Sequence, residues 1–190
     1  MEIKTLSNPP IKEALLEIRF NPNKDVTIEK LEQFVDSLVD DYPNKEPVLN
    51  QSFEVMFSAD TEPKSNIDVR PGGFKITNAQ GNRIVIAAID KLVVSFLPPY
   101  KPWPELKDNT KTFFEKLIEF VPQSEIVRLG MRFINEIKLP LKEGFTFQRY
   151  ITTFQPLPKY NGLPSTLSMF ETVVSIPLKD IECESAIRQV

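Results

Sequence analysis

The chain has 190 residues, 41% apolar and 26% charged, with a formal net charge of −3 and a pI near 5.2. That acidity argues against bulk nucleic-acid binding, which draws on a basic surplus to displace counterions from phosphates. There is no histidine and a single cysteine, Cys183. Ser-His-Asp and Cys-His systems, imidazole metal ligands, an intramolecular disulfide and a thiolate zinc cluster are thereby excluded within one chain.

The first element is predicted in "IKEALLEIRF". Ala14, Leu16, Ile18 and Phe20 alternate with Glu13, Leu15, Glu17 and Arg19, the pattern of a half-buried strand between Pro10 and Pro22. In "TIEKLEQFVDSLVDDYP", Ile28, Leu31, Phe34, Val35 and Leu38 recur at helical spacing, with Thr27 as cap and Pro43 as stop. A second strand follows in "SFEVMFSA". The run "DTEPKSNIDVRPGG" reads as a polar loop punctuated by Pro71, Gly72 and Gly73.

A meander comes next, "GFKITNA", "RIVIAAI" and "LVVSFLP", with turns at "QGN" and at Asp90-Lys91. The unbroken apolar run Ile84–Ile89 predicts a central strand covered on both faces. Pro104 suits the first turn of a second helix reaching Phe120, with Leu106, Phe113, Phe114, Leu117, Ile118 and Val121 as its stripe. A long strand from Glu125 to Leu139, a short helix or turn around "FTFQRYITTF", a strand "TLSMFETVVSIPL" and a final strand in the tail complete the order. Strands in runs with helices between them imply an α+β fold: an antiparallel sheet of about six to seven strands carrying two main helices. The chain reads as one domain, 1–190, whose halves 1–100 and 101–190 share a loose strand–helix–strand order.

The long strand "RLGMRFINEI" holds the most informative polar residues. Its period of two puts Arg128, Gly130, Arg132, Ile134, Glu136 and Lys138 on one face, and Leu129, Met131, Phe133, Asn135, Ile137 and Leu139 on the other. If it pairs with the first strand, Glu13 or Glu17 meets Arg128 or Arg132 across the ladder. Glu13, Glu17, Arg19, Arg128, Arg132, Asn135, Glu136 and Lys138 are therefore the candidate ligand-binding residues, against the plainer reading of a solvated sheet face. Asn135 stands out as a lone amide on the side expected to be buried, where it needs hydrogen-bond partners. Gly130 suggests a bulge or a close backbone approach. Tyr100 and Trp103 in "YKPWP" suit either a recognition surface or the seal between loop and helix. No phosphate-loop, dinucleotide or metalloprotease motif occurs, and Cys183 lies between Glu182 and Glu184, which disfavour its thiolate. No catalytic residue, metal site or cofactor emerges.

"NPPIKEALLEIRF" and "RLGMRFINEI", with "PYKPWPEL" between them, resemble the signatures of a sporadically distributed, uncharacterised family of prokaryotic proteins. Pro10, Glu13 and Ala14 match its opening strand, Gly130, Arg132, Phe133 and Asn135 its later strand, and Tyr100 and Trp103 its aromatic pair. The resemblance covers the chain up to about residue 140 and brings no activity with it. Family members continue past the point where this chain stops, which implies a C-terminus cut short relative to the family or a shorter member.

Three functional expectations follow. The first is a non-enzymatic binding or interaction protein, its partner another protein or a second copy of the chain. The second is a metal-dependent enzyme or binder of phosphate compounds that uses a charged antiparallel sheet face, loosely like triphosphate-tunnel proteins but without their Glu-x-Glu-x-Lys motif. The third is an oligomer whose charged face pairs with itself. No apolar run is long enough for a membrane span and no signal peptide follows Met1, so a cytoplasmic location is expected.

Overall fold

The computed structural model describes residues 8–21, 25–58, 61–121, 125–138 and 171–189, with backbone alone for 51–58, 61–68 and 189. The chain divides into two compact units, Met1–Lys138 and Leu139–Val190. The first contains β1 (Ile11–Phe20), α1 (Ile28–Asp36), β2 (Asn44–Ser58), β3 (Thr61–Thr77), β4 (Arg83–Ala88), β5 (Lys91–Phe96), α2 (Trp103–Phe120) and β6 (Ile126–Asn135). Its six strands form one sheet in the order β2-β3-β4-β5-β1-β6, with every pairing antiparallel. In the second unit β7 (Thr172–Leu178), a 3₁₀ turn (Lys179–Ile181) and β8 (Cys183–Gln189) make an antiparallel hairpin. The α+β class with an antiparallel sheet and two helices is thus as the sequence implies. Cys183 is free and exposed.

One face of the six-stranded sheet is built by alternation. Ala14, Ile18 and Phe20 of β1, Phe74 and Ile76 of β3, Val85 and Ala87 of β4, and Leu92, Val94 and Phe96 of β5 all point into the core. The helices close that face, α1 over β3 and β4, α2 over β5 and β1. Leu31, Phe34 and Val35 are the buried stripe of α1; Leu106, Thr110, Phe113 and Leu117 are that of α2. Thr110 is the polar member that the apolar spacing passes over, and its hydroxyl donates to the Leu106 carbonyl at 2.8 Å. Burying each of the large apolar side chains among them contributes roughly 1.5–3 kcal/mol before chain entropy is set against it.

Several elements differ from their sequence expectations. The polar run 60–73 is mostly strand, not loop, because β3 runs through it from Thr61. Its prolines mislead: β4 covers only Gly73–Thr77, so Pro63 and Pro71 lie where β3 has β2 alone as a neighbour and a missing amide is tolerated. β2 starts at Asn44, well ahead of the predicted strand. α1 stops at Asp36 rather than at Pro43, since the Ser37 hydroxyl donates to the Phe34 carbonyl at 2.6 Å and turns follow. The β4–β5 turn falls at Ile89-Asp90, one residue earlier than expected, with Ala88 opposite Lys91. β6 ends at Asn135, short of Leu139. The helix or turn expected around 145–154, and residues 166–170 of the predicted late strand, lie outside the described residues.

Candidate functional site: a charged groove on the face away from the helices

The registers place the second face of the sheet residue by residue. Three cross-strand rows result. The first runs Gly73, Ala88, Lys91, Arg19, Arg128; the second Lys75, Ile86, Val93, Glu17, Gly130; the third Thr77, Ile84, Ser95, Leu15, Arg132. Rows lie two residues apart along each strand, roughly 7 Å, and neighbours within a row sit about 5 Å apart. Most of these residues, Lys91 and Arg128 of the first row among them, line a groove of about 450 Å³, with Arg19 on the same face just outside its lining. That volume is within the range of small-molecule sites, roughly 300–1,000 Å³. Its floor is Leu15, Ile84, Ile86 and Val93, with charges around it. The central strand β4 is therefore covered fully only on the helix side; Ile84 and Ile86 on the groove side are half-buried.

The expected pairing of β1 with β6 is present, and it organises the charges. Glu13 Oε2 accepts from Arg132 Nη2 at 3.1 Å, while its other oxygen accepts from the buried Ser95 hydroxyl at 2.7 Å. Glu17 Oε1 accepts from Arg19 Nε at 2.8 Å and lies 3.8 Å from Arg128 Nη1. The carboxylates are the inner members: the Glu13 and Glu17 side chains are 21% and 17% exposed, those of Arg132 and Arg128 61% and 64%. Glu17 holds the Arg19 guanidinium protonated even above its usual range, through the hydrogen bond first and charge second.

The strand geometry limits what the carboxylates can do. Glu13 and Glu17 are four residues apart on one strand, roughly 13 Å between their backbones, well beyond the roughly 5–9.5 Å of a glycosidase carboxylate pair. Each already accepts from an arginine. Among the described residues, no three His, Cys, Asp or Glu side chains converge in a way that could hold a metal ion.

Not all candidate residues meet in the groove. Glu136 lies beyond the end of β6 and pairs with Lys12 at 2.9 Å and Lys138 at 3.6 Å. Those lysines, Lys12 foremost, pull its carboxyl below the usual range. Lys12 is itself the extra residue of a β-bulge between Ile11 and Glu13. Asn135 is exposed, not buried: among the described residues β6 is the last strand of the sheet and no helix packs on the side that alternation assigns to the core, with Leu129 73% and Met131 59% exposed. Gly130 marks neither a bulge nor a forced approach. It sits opposite Glu17, and a Cβ there would meet Glu17 and Arg128 at 3.5–3.9 Å, ordinary contact distances. Tyr100 packs edge-on against Phe133, ring centroids 6.2 Å apart, whereas Trp103 at the start of α2 is 38% exposed. Sequence reading missed the other half of the groove, Lys75, Ile84, Ile86, Lys91, Val93 and Ser95. Their alternation is masked by the apolar run of β4, and only the registers reveal that they share a face with Glu17.

Fold and site together define an α+β protein whose antiparallel sheet is helix-covered on one face and carries a charged, apolar-floored groove on the other. The stretches "NPPIKEALLEIRF" and "RLGMRFINEI" lie side by side in it, as β1 and β6. Comparison with protein families, curated proteins and solved structures gives no match for the chain.

Proposed function

We propose that this chain is a non-enzymatic binding protein that seats a small ligand in the groove between β3 and β6. One observation carries this reading: the groove has an apolar floor inside a charged rim, the make-up of a small-molecule site, with its two carboxylates held by arginines and a serine. The cytoplasm is the proposed location; among the described residues no helix is long and apolar enough to cross a membrane. Membership of the sporadically distributed prokaryotic family is proposed on the two paired strands and the aromatic pair.

The test is a thermal-shift screen of neutral, anionic and cationic small molecules, with Ile86→Glu as the groove-blocked control. A ligand present at about 100 times its Kd stabilises by about 2.7 kcal/mol, which raises the midpoint of a chain this size by roughly 5–10 °C. The expected result is a shift with the native chain that Ile86→Glu abolishes while circular dichroism stays unchanged. Shifts that persist in Ile86→Glu would move the site elsewhere.

A second reading is a binder or metal-dependent enzyme of phosphate compounds. The cross-strand row Lys91, Arg19, Arg128 favours it, since three cations on one line suit an anion. Titration with inorganic pyrophosphate and Mg²⁺ tests it. A phosphate-dependent shift lost in Arg128→Glu supports it, and no shift at millimolar concentration removes it.

A further inference from the structure

We infer that the groove ligand is an amphipathic anion: a single negative head seated on the Lys91–Arg19–Arg128 row, with an unbranched apolar body lying over Val93, Ile86 and Ile84. The inference rests on the groove being the binding site and adds what it binds. Two observations on different residues point the same way.

The first is an uncompensated row of charge. Lys91, Arg19 and Arg128 stand directly opposite one another on three adjacent strands, on the same face. Like charges opposite each other across a ladder destabilise the sheet. Among the described residues, two carboxylates serve these three cations. Glu17 holds Arg19 at 2.8 Å and reaches Arg128 at 3.8 Å, and Asp90 lies 4.0 Å from Arg19. Among the described residues, no carboxylate pairs with Lys91, a half-buried groove residue. Arg128 makes no hydrogen bond to Glu17 at its separation, so most of its donors are left for a ligand. An anion bridging Lys91 and Arg128 neutralises the surplus and takes up those donors.

The second is the floor. Beginning next to Lys91, the groove presents Val93 and Ile86 in the second row and Ile84 in the third, a continuous apolar strip with no charge on it. From the cation row to the third row is four residues of strand, roughly 13 Å. That length matches a medium alkyl chain, and a compact inorganic anion would leave the strip in water. Head and tail positions are thus set by different residues, which makes them separable by experiment.

Binding is measured by isothermal titration with decanoate, decyl phosphate, decanol and inorganic phosphate, each below its micellar concentration. Decanoate or decyl phosphate is expected to bind, more weakly as salt rises because the rim is solvent-facing. Decanol, which lacks the charge-assisted contact, and inorganic phosphate, which lacks the apolar body, are each expected to bind at least about tenfold more weakly. The ranking of the two anions tells a carboxylate head from a phosphate one. Lys91→Met is the key variant. Removing a cation opposite Arg19 should leave the thermal midpoint unchanged or raised, while the affinity for the anion falls about tenfold. Equal binding of decanol and decanoate, both lost in Ile86→Glu, would overturn the anionic head and leave the groove standing as a site. Inorganic phosphate binding as well as decyl phosphate would overturn the tail. If none of the four binds while another class of compound shifts the native chain but not Ile86→Glu, the inference falls and the groove reading survives.

Discussion

The two faces of β1 differ in what the fold demands of them. Ala14, Ile18 and Phe20 are buried under α2, and their neighbours Leu92, Val94 and Phe96 are buried beside them. One residue away along the same backbone, roughly 3.3 Å, Glu13 and Glu17 meet a serine and arginines on the other face, partly open to solvent. The core face has one solution, close packing, and tolerates little else. The groove face is held by hydrogen bonds to carboxylates that retain partial access to solvent, each worth less and each replaceable. The difference teaches where selection for stability ends and room for binding begins.

The sharpest break is Phe96→Ala on the core face. Phe96 is 1% exposed, and its loss should cost about 3–5 kcal/mol by chemical denaturation. Gly73→Ala comes next, although Gly73 lies on the groove side. Its φ is +154° and a Cβ would stand 2.2 Å from the Ala87 carbonyl oxygen, so backbone must move, for about 1–3 kcal/mol. On the groove face itself a double-mutant cycle of Glu13→Gln and Arg132→Gln should give a coupling of only about 0.2–1 kcal/mol, weakening with salt. A coupling several times larger would mean that the groove is far drier than its exposed arginines imply. Smallest of all is Gly130→Ala, expected within about 0.5 kcal/mol of the native chain, because the new methyl group meets only ordinary contacts.

The pH dependence sharpens the same contrast at the end of β6. The Glu136 carboxyl is held low by Lys12 and Lys138. Its contribution to stability is therefore present above the ordinary carboxylate range and is lost as pH falls through the lowered value. Glu136→Gln should lower the thermal midpoint slightly at pH 7, and the gap to the native chain should close in acid. A gap that widens in acid would contradict the pairing with Lys12.

Much of this was legible in the residues. The alternation of "IKEALLEIRF" assigned both faces of β1 correctly, and "RLGMRFINEI" assigned Arg128 and Arg132 to the face of Glu13 and Glu17. Asn135 shows the limit. Period two says which side of a strand a residue occupies, but whether that side is buried depends on what lies over it, and nothing in β6 itself encodes its place at the sheet edge. The polar run 60–73 shows the same limit from the other direction, since its prolines forbid only a hydrogen-bonded amide and a one-sided strand does not need every amide.

What the sequence alone determined was local: periodicity, caps, the α+β class, and a chemistry without histidine, disulfide or phosphate loop. Those follow from side-chain type and spacing, which act over a few residues. The tertiary structure decided the strand order and registers. They bring Lys91 opposite Arg19 and Arg19 opposite Arg128, residues 72 and 109 positions apart in the chain, and lay Val93, Ile86 and Ile84 beside them. A groove is a property of neighbours, and neighbours across a sheet are chosen by the packing of the whole core.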